Sequence, residues 1–302
     1  MAVPSSLSAA PELESSMLAR AVRILSSFTA ATPQLTLTDV TRRTGLPRSS
    51  VHRILDQLVQ LRVMERVGVE YRLGLRLLEL GALAAQHNRL RATALPHLHR
   101  LHSATRALVH LSILDGHEII YLERIGGASE GRVPTRLGGR QPAYCTASGK
   151  AMLAFSDEEA LAGVLRAELT PHTRSTITDP QALLRELARI RDRGIALDRE
   201  ENHRGIACIA VPLLEPGGRA VAAISLCGPP SGLNPQALIS PLSMAVRQVR
   251  QSLFTQTRRG QAHVPAPQPP HRRKPEGPRT APLWPGGLPS AVIEWSLPGS
   301  WI

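Results

Sequence analysis

The stretch GLPRSSVHRIL, residues 45–55, constrains the fold of this chain more than any other. Its glycine can end a helix in the left-handed conformation, and its proline suits the first turn of the next helix. Just upstream, the residues TLTD, 36–39, have the spacing of a capping box, which begins a helix. The sequence therefore predicts two short helices joined by a tight turn, as in a helix-turn-helix.

The helix predicted after Pro47 has two chemically different faces. One face is an apolar stripe at helical spacing, which would pack on the preceding helices and consists of Val51, Ile54, Leu55, Leu58 and Leu61. The opposite face carries hydroxyl, amide, imidazole and guanidinium groups, the chemistry that contacts base edges and phosphates in a major groove. We predict DNA contacts by Arg42, Arg43, Arg48, Ser49, Ser50, His52, Arg53, Gln57, Arg66 and Arg72. The arginines of this set outside residues 48–57 are expected on phosphates.

A solvated face of an ordinary surface helix is the alternative for this helix taken alone. Its surroundings favour DNA, because the segment VMERVGVEYRLG after it predicts a small hairpin around Gly68, the wing of a winged helix-turn-helix. Charge agrees with this interpretation. Ten arginines and four acids lie between Leu18 and Arg76, whereas the long middle of the chain is near neutral although the whole carries +12. A basic module joined to a neutral one predicts a polyanion-binding part and a part with another task.

The 302 residues suit two domains plus tails, and a 42% hydrophobic content is enough for two cores. The three cysteines form neither a CxxC pair nor an even set, so we expect reduced thiols in a reducing cytoplasm. Glu12 and Glu14 do not fit a secretory leader, and no apolar segment approaches the roughly 18 residues that cross a bilayer. We therefore expect a cytoplasmic protein with no membrane partner.

The second half of the chain mixes strand and helix patterns. Strand-like runs include LVHLSILDG, EIIYLERIGG, RVPTRLGG, GIALDREE, IACIAVPLL and AVAAISLCG. Helices are predicted near residues 148–155, 157–166, 181–193 and 235–254. Because strands and helices do not alternate strictly, the pattern predicts an α+β domain on an antiparallel sheet.

Several segments resemble those of the IclR family of bacterial transcriptional regulators: LARAVRILSSF, YRLGLRLLELG, TASGKAMLAF and the spacing of Gly194, Asp198, Glu201 and Cys208. The resemblance implies a winged helix that dimerises on double-stranded DNA, a linker helix and a GAF-like domain that binds a small effector and mediates tetramers. It implies no enzyme activity, cofactor or metal. The expected boundaries are 1–16 for a disordered lead, 17–74 for the DNA-binding domain, 75–91 for the linker, 92–256 for the effector domain and 257–302 for a disordered Pro and Arg rich tail.

The family resemblance also implies an effector pocket. Carried over position by position, it consists of Thr146, Ala147, Ser148, Asp198, Ile206, Cys208, Ser225 and Cys227. The segment YCTASGK offers hydroxyl and amide donors at a helix start, so we expect a small carboxylate as the effector. Tyr144 and Cys145 depart from the family, in which a His and an Ala are common.

The same residues are compatible with other chemistries. The cysteines with His203 could form a thiol nucleophile or redox sensor, although buried packing is favoured. The histidines His97, His99 and His102 do not share one helix face as metal ligands would. Lys150 follows a single glycine and lacks the Gly-rich run of a phosphate loop. Asp198, Glu200 and Glu201 could be paired catalytic acids, although a polar pocket wall is favoured.

Two other classes of function remain alternatives. One is a small-molecule hydrolase that uses Asp198 or Cys208 and keeps the helix-turn-helix as a scaffold. The other is a nucleoid-associated protein without an effector, which would bind DNA with little sequence preference.

Overall fold

The computed structural model describes residues 16–126 and 133–260. The predicted lead and tail therefore lie almost wholly outside the described residues. In the described ranges the helices are α1 (Met17–Leu25), α2 (Leu37–Thr44), α3 (Arg48–Gln60), α4 (Leu75–Gln86), α5 (Arg89–Thr105), α6 (Ala147–Leu153), α7 (Glu158–Arg166), α8 (Pro180–Arg193) and α9 (Pro235–Gly260). The strands are β1 (Gln34–Thr36), β2 (Met64–Val67), β3 (Glu70–Leu73), β4 (Leu108–Asp115), β5 (Glu118–Ile125), β6 (Arg140–Pro142), β7 (Ala196–Arg199), β8 (Ala207–Leu214) and β9 (Ala220–Gly228).

The N-terminal region is a winged helix-turn-helix. The predicted capping box is present at α2, where the Thr36 hydroxyl accepts from the Asp39 amide and the Asp39 carboxylate accepts from the Thr36 amide. Gly45 ends α2 with φ of 66°, in the left-handed region that a side chain disfavours. Pro47 then precedes α3.

The apolar stripe of α3 forms the core of this region. Val51 and Leu55 are fully buried and Ile54 nearly so, against Ile24 of α1 and Val40 of α2. The predicted stripe extended to Leu61, but α3 ends at Gln60 and Leu61 is 63% exposed. A short strand that the sequence did not predict, β1, pairs with β3 beside the hairpin, giving the sheet order β1-β3-β2.

The C-terminal region is built on a six-stranded sheet of order β6-β5-β4-β9-β8-β7. Every neighbouring pair is antiparallel. Helices α5 and α9 cover one face with residues such as Leu98 and Val249, and α6 and α8 cover the other with residues such as Met152 and Leu187. Alternate residues of β8 point to the two faces, with Ile209 in one core and Ala210 in the other. This arrangement confirms the predicted α+β class.

Three predicted elements need correction. Helix α5 was not predicted, because Pro96 and the six histidine and arginine side chains of this helix obscure the apolar stripe of Ala94, Leu98 and Leu101. The segment RVPTRLGG was predicted as a strand, yet 133–139 form none and pairing resumes only at β6. Helix α9 continues to Gly260, so the start of the predicted tail is helical, since no Pro or Gly interrupts the chain after Phe254 before that glycine.

The linker prediction places a helix at 75–91, and the structure has two helices there. Helix α4 ends at Gln86 and α5 begins after Asn88, whose side chain accepts from the Arg91 amide as an N-cap. No residue of α4 is buried. Among the described residues, no helix has the length and apolar content to cross a membrane.

Candidate DNA-binding face and small-molecule pocket

The outward face of α3 carries the polar side chains that the sequence predicted for DNA. Arg48, Ser49, His52, Arg53 and Gln57 are exposed, and Ser50 is half-buried. The core residues beneath them hold α3 against α1 and α2, so the face is displayed on a rigid support. Such a surface can contact a groove without rearrangement of its backbone.

The α3 side chains differ in whether they form hydrogen bonds or ion pairs within the protein. Arg48 donates from Nη1 to the Thr38 hydroxyl at 3.0 Å, and His52 Nδ1 lies 3.0 Å from Asp56 Oδ2. Within the described ranges, no hydrogen bond or ion pair ties the Arg53 guanidinium to another side chain. Its full donor set is therefore available to a nucleic acid.

The predicted phosphate-contacting arginines are mostly engaged inside the protein. Arg42 pairs with Asp39 at 2.8 Å, and Arg72 pairs with Glu65 at 2.6 Å. Arg43 donates to the Ser27 carbonyl at 3.1 Å and to the Thr32 hydroxyl at 2.8 Å. Arg66 has no carboxylate or hydroxyl partner among the described residues. It donates from Nε to the Gly68 carbonyl and lies over the Tyr71 ring, 5.7 Å from its centroid.

A groove of about 240 Å³ joins the start of α2, the first turn of α3 and the wing. It is lined by Thr36, Leu37, Thr38, Arg48, His52, Arg66, Val69 and Tyr71. Three of these residues were predicted as DNA contacts and five were not. The start of α2 had been interpreted only as a helix cap, and its proximity to the wing depends on β1, which the sequence did not predict.

The C-terminal region contains a cavity that all eight predicted effector residues line. They come from the start of α6, from β7, β8 and β9, and from Ile206 just before β8. Five further residues line it that the sequence analysis missed: Tyr121, Val133, Thr135, Asn202 and His203. Asn202 and His203 directly follow Glu201 in the recognised spacing, so that segment carried a usable signal. Thr135 lay in a segment predicted as a strand.

The cavity holds about 20 Å³, which is close to the space of one water molecule. An organic acid therefore enters only if lining side chains move. Tyr144 and Cys145 do not line the cavity. The Tyr144 hydroxyl instead donates to the Thr170 carbonyl at 2.6 Å.

Asp198 is the carboxyl of the cavity wall. It is 4% exposed, and its Oδ1 accepts from the Glu201 amide at 2.7 Å. Burial raises the pKa of Asp198 to about 7, with the Glu201 carboxylate adding to the rise. At neutral pH this group is partly protonated, so it can donate a hydrogen bond as well as accept one.

Lys150 and Glu201 form a buried ion pair behind the cavity. Lys150 is 0% exposed, and its Nζ lies 2.6 Å from both carboxylate oxygens of Glu201. Gly149 beside it packs against the backbone of Ala143, where an added Cβ would clash. The lysine and glycine of TASGK therefore hold α6 in place, and Glu201 acts as the partner of Lys150.

The buried ring of His110 connects two residues of the cavity lining, Cys227 and Thr135. Cys227 Sγ lies 3.6 Å from His110 Nδ1, and His110 Nε2 lies 2.8 Å from the Thr135 hydroxyl. Thr135 also accepts from Arg124 Nε at 3.3 Å. Burial, together with the Arg124 charge, lowers the pKa of His110 to about 3, so its ring is neutral.

The cysteine expectation was wrong for two of the three residues. Cys208 and Cys227 are joined in a disulfide, with Cα atoms 4.2 Å apart. They lie directly opposite each other in the pairing of β8 with β9. An odd number of cysteines left one pair possible, and the strand register that aligns this pair was not visible in the sequence. Cys145 is free and buried, and burial raises the pKa of its thiol to about 12.

The clustered histidines do not converge. His97 Nδ1 lies 3.2 Å from Gln248 Oε1, and His102 Nδ1 lies 2.8 Å from the Ala107 carbonyl. In 16–126 and 133–260, no cluster of three or more His, Cys, Asp or Glu residues is arranged to hold a metal ion.

Comparison with known proteins covers both regions. A family model described as the IclR helix-turn-helix domain matches residues 17–68, and one described as bacterial transcriptional regulator IclR C-terminal matches residues 82–253. The HTH-type transcriptional regulator XynR of Escherichia coli (strain K12) is 35% identical over 68% of this chain and 83% of its own length. The Pca regulon regulatory protein of Pseudomonas putida is 32% identical over 69% of this chain and 72% of its own length.

A solved relative shares the fold as well. The crystal structure of an IclR homolog from Microbacterium hydrocarbonoxydans, complexed with 4-hydroxybenzoate, superimposes with a TM-score of 0.72 and 32% identity. The match covers 80% of this chain and 100% of that one.

Proposed function

The chain belongs to the IclR family of bacterial transcriptional regulators, and from this premise we propose that it binds a pseudo-palindromic operator whose affinity changes when a small organic acid occupies the C-terminal cavity. Membership makes it a transcriptional regulator with a helix-turn-helix and an effector domain, and its named relatives are regulators rather than enzymes. The operator and the effector are proposals.

The exposed face of α3 carries the DNA part of the proposal. Arg53 is our candidate for base recognition, because it lies exposed on the rigid helix with no intramolecular partner in the described ranges. Arg48 and His52 share the groove with Arg66 of the wing, so a phosphate in that groove would meet donors from both elements. Ser49, Ser50 and Gln57 are proposed to complete the base contacts.

Exposed leucines support a dimer. On α4, Leu75 is 62% exposed and Leu78 is 67% exposed, and on α1 Leu18 is 78% exposed. Apolar surface of this extent on two helices of one region is typical of a protein interface. A two-fold dimer would place two α3 helices in successive major grooves, which predicts half-sites about one helical turn apart.

The cavity supports the effector part of the proposal. Its wall offers hydroxyls at Thr146, Ser148 and Ser225 beside a partly protonated Asp198. These groups suit the oxygens of a carboxylate, and the aromatic Tyr121 and apolar Ile206 suit a small ring or alkyl chain. Because the bound relative holds 4-hydroxybenzoate, hydroxylated aromatic acids are the first probes for this chain.

Selection of genomic fragments followed by DNase footprinting tests the DNA part. We expect two protected half-sites with dyad symmetry, and binding that weakens steeply with salt because phosphate contacts release counterions. A single half-site would contradict the dimer, and equal affinity for all fragments would support the nucleoid-associated alternative.

A thermal-shift screen of small aliphatic and aromatic carboxylates tests the effector part. A ligand at about a hundred times its dissociation constant adds about 2.7 kcal/mol to the stability of the folded state. We expect Asp198→Ala or Cys208→Ser to abolish a hit, whereas Cys145→Ser, outside the cavity, should leave it unchanged. No hit among carboxylates would contradict an acid effector while leaving DNA binding intact.

A further inference from the structure

We propose that Cys208 and Cys227 are a peroxide-sensitive pair whose oxidation state is passed through His110 to Thr135 and decides whether the cavity offers Thr135 as a hydrogen-bond donor. The proposal concerns a modification site that the regulator function does not require. Only its consequence for ligands rests on the proposed effector role of the cavity.

The placement of the two cysteines makes them a pair. They face each other across β8 and β9, and their Cα separation of 4.2 Å is that of a non-hydrogen-bonded cross-strand position, where side chains are closest. The strand pairing therefore holds the two cysteines close enough for a disulfide to form between them.

Access to the sulfurs distinguishes this pair from the third cysteine. Cys208 is partly exposed, and both Cys208 and Cys227 line the cavity, so a hydroperoxide small enough to enter the cavity meets both sulfurs. Cys145 is fully buried away from the cavity, and the raised pKa of its thiol disfavours the reactive thiolate. The chain thus carries its own unreactive control.

Hydrogen peroxide is the oxidant that converts the two thiols into the disulfide. The Cys208 thiolate attacks one peroxide oxygen, the O–O bond breaks, and Cys208 becomes a sulfenic acid while the other oxygen leaves as water. The Cys227 sulfur then attacks the sulfenic sulfur and the S–S bond forms. The sulfenic hydroxyl leaves and takes up the Cys227 thiol proton, which gives a second water. The cysteines lose two electrons and two protons in total, and a dithiol reductant reverses the change.

His110 links the pair to the cavity wall. Because its buried ring is neutral, one nitrogen carries a proton and the other accepts one. In the disulfide form His110 Nδ1 lies 3.6 Å from Cys227 Sγ, and Nε2 lies 2.8 Å from the Thr135 hydroxyl. Reduction gives Cys227 a thiol proton to donate to Nδ1, so that Nε2 then carries the ring proton and donates to Thr135. In the disulfide the Cys227 sulfur has no proton, and an unprotonated Nδ1 would place its lone pair against a lone pair of that sulfur. The ring proton is therefore expected on Nδ1.

This change of tautomer reverses the role of Thr135. In the reduced protein the Thr135 oxygen accepts from both His110 and Arg124, so its own proton is free for a molecule in the cavity. In the oxidised protein that proton goes to His110 Nε2, and Thr135 offers the cavity only a lone pair. A carboxylate accepts hydrogen bonds and cannot donate them, so it binds the reduced protein better.

Peptide mapping of the full-length protein tests the pairing. Trypsin places each cysteine in its own peptide, residues 141–150, 205–219 and 220–247. When the protein is first reduced with dithiothreitol and freed of it, then treated mildly with peroxide and alkylated under denaturing conditions, we expect peptides 205–219 and 220–247 to be cross-linked and peptide 141–150 to be fully alkylated. Dithiothreitol should restore three alkylated peptides. Cys208→Ser and Cys227→Ser should each abolish the cross-link, and Cys145→Ser should leave it unchanged.

Other products would overturn the pairing. These are alkylation of all three cysteines after peroxide treatment, a link that includes peptide 141–150, or sulfinic acid at Cys208 with no cross-link. A pair that stays cross-linked in excess dithiothreitol would also overturn it, because it would then be a fixed structural bond.

Nitrogen-15 spectra of histidine-labelled protein test the relay without any ligand. The His110 signals, assigned by their loss in His110→Asn, should show protonated Nε2 in the reduced protein and protonated Nδ1 in the oxidised protein. The same tautomer in both states would refute the relay even if the cross-link forms.

The affinity for 4-hydroxybenzoate tests the consequence for ligands. We expect about tenfold weaker binding to the oxidised protein, the worth of one hydrogen bond to a charged group. In Thr135→Val that difference should vanish while the cross-link still forms. Equal affinity of both states in the wild type would contradict this step. Failure of 4-hydroxybenzoate to bind either state would count against the proposed effector class, and the first two tests would still decide the redox proposal.

Discussion

The DNA-binding face of α3 and the C-terminal cavity both depend on polar and charged side chains, but these are exposed at the first site and buried at the second. On α3, side chains such as Arg53 and Gln57 stand in solvent on top of a closed apolar core. At the cavity wall, Asp198 is buried and accepts from the Glu201 amide, and Glu201 in turn is paired with the buried Lys150 behind it. An exposed cation contributes little to folding and is available to a partner, whereas a buried one stabilises or destabilises the whole domain. Substitutions on α3 should therefore change DNA binding with little effect on the free energy of unfolding, whereas substitutions at the cavity should change both ligand binding and stability.

The largest expected contrast is between Lys150→Met and Arg53→Ala. Lys150→Met leaves the buried Glu201 carboxylate without its cation and should lower the free energy of unfolding by about 3 to 5 kcal/mol. Arg53→Ala should change it by less than about 0.5 kcal/mol. Urea unfolding followed by circular dichroism measures both. The double variant Lys150→Met/Glu201→Leu, which removes both charges, should recover part of the loss, and equal effects of the two single variants would break the comparison.

The next effect is the pH dependence of stability that Asp198 confers. Because its folded-state pKa of about 7 lies above its ordinary value of 3.8, its contribution is full below about pH 4 and is lost as the pH rises to 7. The limiting slope is about 1.4 kcal/mol per pH unit. Asp198→Asn keeps the acceptor for the Glu201 amide and cannot ionise, so its stability relative to the wild type should rise across this window and level off above it.

Thermal unfolding at a series of pH values measures the difference. Asp157→Asn, at an exposed helix cap, is the matched control for an Asp-to-Asn change outside the cavity. A stability difference that is flat with pH, or that falls, would mean that Asp198 is ionised in the folded protein at pH 5.

A pair of glycine substitutions extends the contrast to the backbone. Gly149→Ala should destabilise the effector domain by about 1 to 3 kcal/mol, because its Cβ would overlap the Ala143 backbone. Gly163→Ala, in α7 with open space around it, should stabilise the protein by about 0.5 to 1 kcal/mol. Melting temperatures of the two variants should move in opposite directions, and a Gly149→Ala variant that is as stable as the wild type would refute the close packing of α6.

The difference in burial also explains how much the sequence revealed. The turn at Gly45, the capping box at Thr36 and the stripe of α3 are local patterns, and they were predicted correctly except at Leu61, the last position of the stripe. The eight cavity positions came from a resemblance to a family, because no local pattern brings β7, β8 and β9 together. The pairing of Cys208 with Cys227 was missed because it depends on the register of β8 and β9. Thr135 was missed because its segment has the pattern of a strand but forms a loop beside the cavity.

The smaller expected effects are on DNA binding. Arg53→Ala should weaken binding to the selected operator by about 1 to 3 kcal/mol and relax its sequence preference, as expected of a base contact. Arg66→Ala should weaken binding to all sequences and reduce the salt slope by about one, as expected of a phosphate contact. Arg43→Ala is the control, because Arg43 is held by Ser27 and Thr32, and it should affect binding less than either. Fluorescence anisotropy at several salt concentrations distinguishes these outcomes, and equal losses for all three would refute the assignment of roles.

The most direct test of the account is the coupling between the two sites. The affinity of the full chain for its selected operator should be measured by anisotropy with and without a saturating carboxylate from the thermal-shift screen, under reducing conditions. We predict a change of about 5- to 150-fold in the dissociation constant, the usual range of allosteric coupling, which disappears in Asp198→Ala while DNA binding persists. A ligand that stabilises the protein without changing its affinity for the operator would contradict the account.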